Sequence, residues 1–187
     1  MPQVTTTSLQ MLSIDDLHTS SRVLPAGCRI EHVRDITPEF SKFLYRSVGS
    51  GWNWADRLPL TRREWADVVG RPGSETWVLT VDGAPGGYVE LAGSPDGVVE
   101  IVYFGLFPEQ LGRGLGGPLL GEGTARAWDL HTRWAGFTQV HRVWVHTCSL
   151  DGPAALANYL ARGFTVSAVE EADQEVLDAS TGWWPEA

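Results

Sequence analysis

Basic residues are scarce in this sequence: 14 Lys and Arg stand against 23 Asp and Glu, a net charge of −9 over 187 residues. With no basic run to offset that balance, the surface would repel a phosphate backbone, so nucleic acid is not expected as a partner. Cysteine is also rare. Cys28 and Cys148 lie far apart, each inside an apolar, strand-like segment without CxxC spacing, and are expected to be reduced structural thiols. No stretch approaches ~18 uninterrupted apolar residues, and Met1-Pro2-Gln3-Val4-Thr5 lacks a basic segment followed by an apolar one. These absences predict a cytoplasmic protein with no membrane partner. No spacing of His, Cys or carboxylates suggests a metal site.

What is present is an ordinary globular composition, 43% hydrophobic and 20% charged, with nine Trp as its oddity. The length suits one domain. Residues 1–24, rich in Ser and Thr, are expected to form an extension or arm ahead of a domain over 25–187. Cys28–Val33 alternates like a half-buried strand, and Thr37-Pro38 supplies an N-cap and first-turn proline for a helix to about Ser47. Thr61-Arg62-Arg63-Glu64 is a capping-box pattern opening a short helix to about Val69. Strands are expected at Glu75–Val81, Gly87–Leu91 and Val98–Phe107, joined by Asp82-Gly83 and Gly93–Gly97 as an antiparallel meander. A glycine-rich turn then leads into a helix, followed by strand Val143–Cys148, helix Ala154–Arg162 and a strand from Gly163; the tail to Trp184 could add another. The plan is mixed α/β, in the order β-α-α-β-β-β-α-β-α-β.

Gly112-Arg113-Gly114-Leu115-Gly116-Gly117 places several N–H groups at a helix N-terminus, where the dipole also favours an anion, and a pyrophosphate is the natural guest. Gly112, Gly114 and Gly117 also satisfy the G-x-G-x-x-G dinucleotide pattern. In that fold, however, the glycines come directly off the first strand of a parallel unit. Here Pro108–Leu111 intervene after an antiparallel meander, and no Gly-Lys-Ser/Thr follows as a P-loop would require.

Ile101–Phe107, Pro108–Leu111 and Gly112-Arg113-Gly114-Leu115-Gly116 together resemble motif A of the GNAT acyltransferase superfamily: a strand, then Gln/Arg-Gly-x-Gly-x-Gly/Ala, then a helix. Leu111 departs from the pattern, standing where the family usually has Gln or Arg. Ala154–Phe164, with Tyr159 and Gly163-Phe164, resembles motif B, although its usual opening Asn is replaced around Asp151-Gly152. The two motifs and the element order span roughly residues 27–170. The resemblance implies a single-domain, mostly antiparallel sheet flanked by helices and splayed at the strand before the glycine-rich turn. It also implies acetyl-CoA as co-substrate and N-acetylation of an amine by direct attack in a ternary complex. Leu106, Phe107, Leu111, Gly112, Arg113, Gly114, Leu115, Gly116, Gly117 and Tyr159 are the residues it assigns to the cofactor.

Acyl transfer to an amine needs a base, a polarised carbonyl and a proton for the leaving thiolate. Glu100, fourteen residues before Gly114, resembles the strand glutamate of histone acetyltransferases and is the candidate base. Period-two alternation puts it on the face of Val102 and Phe104, and a turn symmetric about Pro95 would set Glu90 opposite, as a supporting or substrate-contacting carboxylate that raises its pKa. Tyr159, five residues before Phe164, falls at the family's general-acid tyrosine. His146 could act as base or water relay. Cys148 in its apolar setting should stay protonated and inert, and the N–H near Leu106 is the expected polariser. Trp52, Trp54, Asp56 and Arg57 lie where the family places its acceptor lid, and suit a small cationic or aromatic amine, with loop anchoring as the alternative role. A homodimer is compatible with this reading. Rival readings are a catalytically inactive acyl-CoA sensor, a peptide N-terminal or lysine acetyltransferase, and a dinucleotide-dependent oxidoreductase.

Overall fold

A computed structural model of the chain describes residues 3–173. Its centre is a seven-stranded sheet built from β1 (Gln3–Met11), β2 (Cys28–His32), β3 (Ser74–Val81), β4 (Ala84–Gly93), β5 (Val98–Leu106), β6 (Arg142–Cys148) and β7 (Thr165–Asp173), in the order β2-β3-β4-β5-β6-β1-β7. Helices α1 (Pro38–Gly49) and α2 (Arg62–Val69) cover one face of the sheet, with Leu44 and Val48 packed against Val78 and Tyr88, while α3 (Gly116–Trp128) sits on the other. Leu119, Leu120 and Ala127 of α3 meet Val89, Leu91, Val99 and Ile101 in the main core. The helix starts follow their capping chemistry: the Thr37 side chain accepts from Phe40 N, and Thr61 and Glu64 form a reciprocal capping box. The strand expected in the tail lies outside the described residues.

The N-terminal expectation is corrected. Residues 3–11 are not an arm but an interior strand, paired antiparallel to β6 on one side and to β7 on the other. Val4, Leu9 and Met11 are buried, and their burial together with two ladders of backbone hydrogen bonds makes this segment part of the core.

Two features of β5 create the site. First, it runs parallel to β6 but pairs with it only from Val98↔Arg142 to Ile101↔Val145; beyond Ile101 the two strands have no paired residues, so the sheet opens. Second, the register to β4 shifts between Glu90↔Tyr103 and Leu91↔Ile101, leaving Val102 as a bulged residue. The bulge overturns the expected alternation. Glu100, opposite Ala92, shares a face with Glu90 and Tyr103, while Phe104, opposite Val89, points to the α3 face with Ile101. Glu90 therefore stands opposite Tyr103 rather than Glu100: a turn centred on Asp96 instead of Pro95 would pair it with Val102, and the bulge moves it on by one more residue.

Candidate active site

Where β5 and β6 part, a cleft of about 1230 Å³ opens. It brings together residues remote in sequence: Glu100 from β5, His146 from β6, Tyr159 from α4 (Ala155–Ala161), the glycine-rich turn, and the loop between α1 and α2. Of the residues expected at the cofactor, Leu106, Leu111, Gly112, Gly114, Gly116, Gly117 and Tyr159 line the cleft. Three do not. Phe107 packs edge-on against Phe43 at 5.7 Å, Arg113 bonds locally to Gln110, and Leu115 is buried in the core.

The glycine-rich end is built for an anion. Gly112 and Gly114 hold φ of 74° and 77°, values that L side chains rarely adopt. Helix α3 has no side-chain N-cap bond and no acidic residue in its first turn, so its first N–H groups remain to face a negative charge. Two guanidinium groups close on the turn. A side chain on Gly114 would collide with Arg22, and one on Gly117 would come within 2.8 Å of Arg162 Nη1 and 3.0 Å of Ser20 Oγ. Among the described residues neither arginine has a carboxylate partner, and Arg162 Nε is buried without a hydrogen bond.

At the opening itself, Glu100 Oε1 lies 3.7 Å from His146 Nδ1. Burial pushes the Glu100 carboxyl above the ordinary glutamate range, opposed by the nearby charges of His146, Arg71 and Arg57. The Glu90 carboxylate also raises it, as expected from the sequence, but less than burial does. Tyr159 is buried between the rings of Phe104 and Phe164, each 6.0 Å away, and burial raises its phenol well above the usual tyrosine value. Phe107 N–H donates to Gly86 O at 2.8 Å, so strand alternation turns the Leu106 N–H away from β4 and toward the opened side. The Cys148 thiol borders the cleft, and burial pushes its pKa up.

The third wall is the loop after α1. Trp52, Trp54, Asp56 and Arg57 all line the cleft, as their lid assignment requires, but each is also anchored. Trp54 Nε1 donates to Asp151 Oδ1 at 3.3 Å and its ring lies 4.9 Å from that of Tyr103, while Trp52 packs on Gly152. Asp56 accepts hydrogen bonds from the hydroxyls of Tyr45, at 2.7 Å, and Tyr103. Arg57 forks onto Glu90 with bonds of 3.0 and 2.6 Å and lies 4.5 Å over the Tyr103 ring. Glu90 is 2% exposed and does not reach the cleft, so its role is to hold Arg57. Removing one member of such a buried pair strands the other charge, at a cost of roughly 3–5 kcal/mol. Arg57→Ala is expected to destabilise by that amount in urea unfolding, and Arg57→Met with Glu90→Leu by far less.

The arrangement of these strands has counterparts among solved structures. The chain is similar to a GCN5-related N-acetyltransferase from Sphaerobacter thermophilus (18% identity over 97% of this chain and 56% of that one, TM-score 0.63). It is likewise similar to one from Kribbella flavida (18%, 88% and 55%, TM-score 0.62). The fold is that of the GCN5-related N-acetyltransferases. A putative GNAT-family acetyltransferase from Novosphingobium aromaticivorans shares this GNAT fold at 16% identity, over 91% of this chain and 63% of that one, with a TM-score of 0.56. The chain spans little more than half the length of the first two. No protein-family model and no curated protein matches the sequence.

Within this GNAT fold, three arginines escaped the sequence reading: Arg22 and Arg162 at the glycine-rich turn, and Arg71 at the far end of the cleft. Arg162 sits at the end of the second motif and could have been suspected from it. Arg22 lies in the segment assigned to the arm, with no local pattern to mark it. Among the described residues, no group of three His, Cys, Asp or Glu is placed to hold a metal, and no helix is long and apolar enough to cross a membrane.

Proposed function

We propose that the protein is an acetyl-CoA-dependent N-acetyltransferase acting on a small amine by direct attack in a ternary complex. The observation that carries this reading is the opening between β5 and β6, with Glu100, His146 and Tyr159 at its mouth and the uncapped start of α3 beyond it. Acetyl-CoA supplies an activated thioester, and the residues present fit its anionic part: the N–H groups of the glycine-rich turn, Arg22 and Arg162 would hold the pyrophosphate. Leu106 N–H donates to the thioester carbonyl oxygen. Glu100 takes a proton from the ammonium group of the acceptor, and its raised pKa suits a base working near neutral pH. His146, beside it, passes that proton to solvent. Tyr159, kept protonated by burial, donates to the departing thiolate, and the second proton that the nitrogen gives up as the amide forms restores the phenol. The antiparallel meander ahead of the glycine turn disfavours a dinucleotide site, which needs a parallel unit there.

Ligand-linked stability tests the cofactor assignment. Acetyl-CoA at a hundred times its Kd should stabilise the protein by ~2.7 kcal/mol in thermal unfolding. Arg22→Ala and Arg162→Ala should each weaken acetyl-CoA about tenfold, an effect that shrinks in high salt. Stabilisation by NAD(P) with none by acetyl-CoA would overturn the assignment.

A further inference from the structure

The acceptor end of the cleft continues past Glu100 into a second, smaller cavity of about 290 Å³ between the turn after α2 and the turn joining β4 to β5. Arg71 and Glu100 line both spaces and so stand at the boundary between them. Trp144, Pro72 and Pro95 supply apolar parts of a small cavity whose lining is mainly polar.

The other charges at this end of the cleft are already engaged. Arg57 is held by both oxygens of Glu90, and the Asp56 carboxylate is held by Tyr45 and Tyr103. Arg71 is different: it is exposed at the cleft, no carboxylate lies within ion-pair distance of it among the described residues, and its charge acts on Glu100 beside it. Arg71 and Glu100 set a cation and an acid at the junction of the two spaces, and such a pair suits a ligand that carries both an anion and an amine. The Arg71 backbone is also fixed. Arg71 O accepts from Ser74 N at 3.1 Å across Pro72 and Gly73, and Gly73 has a φ of 84°, the positive value that a type II turn requires of its third residue. Gly73 O in turn accepts from Gly93 N at 2.8 Å, and a Cβ at Gly73 would lie 2.5 Å from Gly93 O and 2.8 Å from Phe137 Cε1. The turn is thus locked onto the end of β4, which fixes the point from which Arg71 reaches the cavity.

We infer that the acceptor is an amino acid or a close analogue, a small molecule carrying both an amine and a carboxylate. Arg71 binds the carboxylate, Glu100 receives the ammonium group, and the small cavity takes the remaining carbon skeleton. This rests on the acetyl-transfer reading of the cleft and narrows its substrate class. Arg71 is a specificity-determining residue, and its guanidinium can bind a carboxylate through two parallel hydrogen bonds. A site built around such a contact discriminates against ligands lacking the partner, because the charged group is then left without compensation.

The test uses the full chain and a panel of α-, β- and γ-amino acids, each matched with the amine left when its carboxylate is removed. Acetylation is followed by CoA release. For the best pair, kcat/KM is expected to favour the amino acid by about 10²-fold, mostly through KM. Arg71→Gln should bring that ratio to near one, and Arg71→Lys should restore part of it. A merely structural role for Arg71 would lower both members of the pair alike and leave the ratio unchanged, which would overturn the inference. So would a wild-type enzyme that acetylates both members equally, although acetyl transfer itself would stand. Calorimetric titration of the same amino acids in the presence of CoA separates the two claims. Binding that is lost in Arg71→Gln, without turnover of any amine, would uphold the carboxylate site and overturn acetyl transfer. Absence of both binding and turnover would overturn both.

Discussion

Glu100→Gln is expected to lower kcat for amine acetylation by about 10²- to 10⁴-fold, the range that a positioned general base contributes. Binding of acetyl-CoA should be unaffected, since the glycine-rich turn, Arg22 and Arg162 lie beyond the carboxylate. The pH profile carries a sharper signature. Burial raises the Glu100 carboxyl, and only its ionised form can accept a proton, so wild-type kcat/KM should rise with pH through a value above the ordinary glutamate range. That limb should vanish in the glutamine variant. Stability moves the opposite way. A carboxyl whose pKa is raised on folding favours the native state below its unfolded pKa, and that contribution is lost as pH rises through the folded value. Near neutral pH the ionised carboxylate therefore opposes folding, and Glu100→Gln, which mimics the neutral acid, should unfold no more readily than the wild type. If kcat changed less than tenfold while His146→Ala abolished turnover, the base would be His146.

Removing residues 1–12 is expected to abolish cooperative folding. β1 is the only link between β6 and β7 in the described sheet, so its loss leaves facing ladders of N–H and C=O groups without partners. It also uncovers the sites of Val4, Leu9 and Met11, each worth roughly 1.5–3 kcal/mol of burial. Together these losses match the roughly 5–15 kcal/mol that stabilises a typical domain. The truncated chain should show no sigmoidal transition in urea and should bind a dye for exposed apolar surface. A synthetic peptide of residues 1–12 should restore the transition in trans. A truncated protein that unfolds cooperatively with an unchanged midpoint would mean that β1 is dispensable.

This strand also shows where sequence reading fails. Its buried residues, Val4, Leu9 and Met11, do not keep one period-two face, and its partners lie more than a hundred positions away, at Val143–Cys148 and Thr165–Asp173. Nothing local distinguishes Thr5-Thr6-Thr7-Ser8 from a polar arm, although threonine's β-branching suits a strand. The meander and the helix starts were legible because their signals are local: Asp82-Gly83, the glycines flanking Pro95, and the Thr37 and Thr61 caps. The bulge at Val102 carries no glycine or proline to announce it, yet it decides that Tyr103, and not Phe104, shares a face with Glu100. For the same reason the glycine-rich turn was found from its own residues, whereas the arginines that close on it, from positions 22 and 162, became visible only once the chain was folded.

The opening between β5 and β6 is proposed to transfer an acetyl group from CoA to an amine. The most direct measurement is acetyl-CoA-dependent appearance of free thiol over an amine panel, with the acetylated product identified by mass. Saturable turnover with at least one small amine, one thiol released per acetylated product, and loss of that turnover in Glu100→Gln are expected. Tight binding of acetyl-CoA with no amine acetylated, and no difference between the wild type and Glu100→Gln, would contradict that proposal.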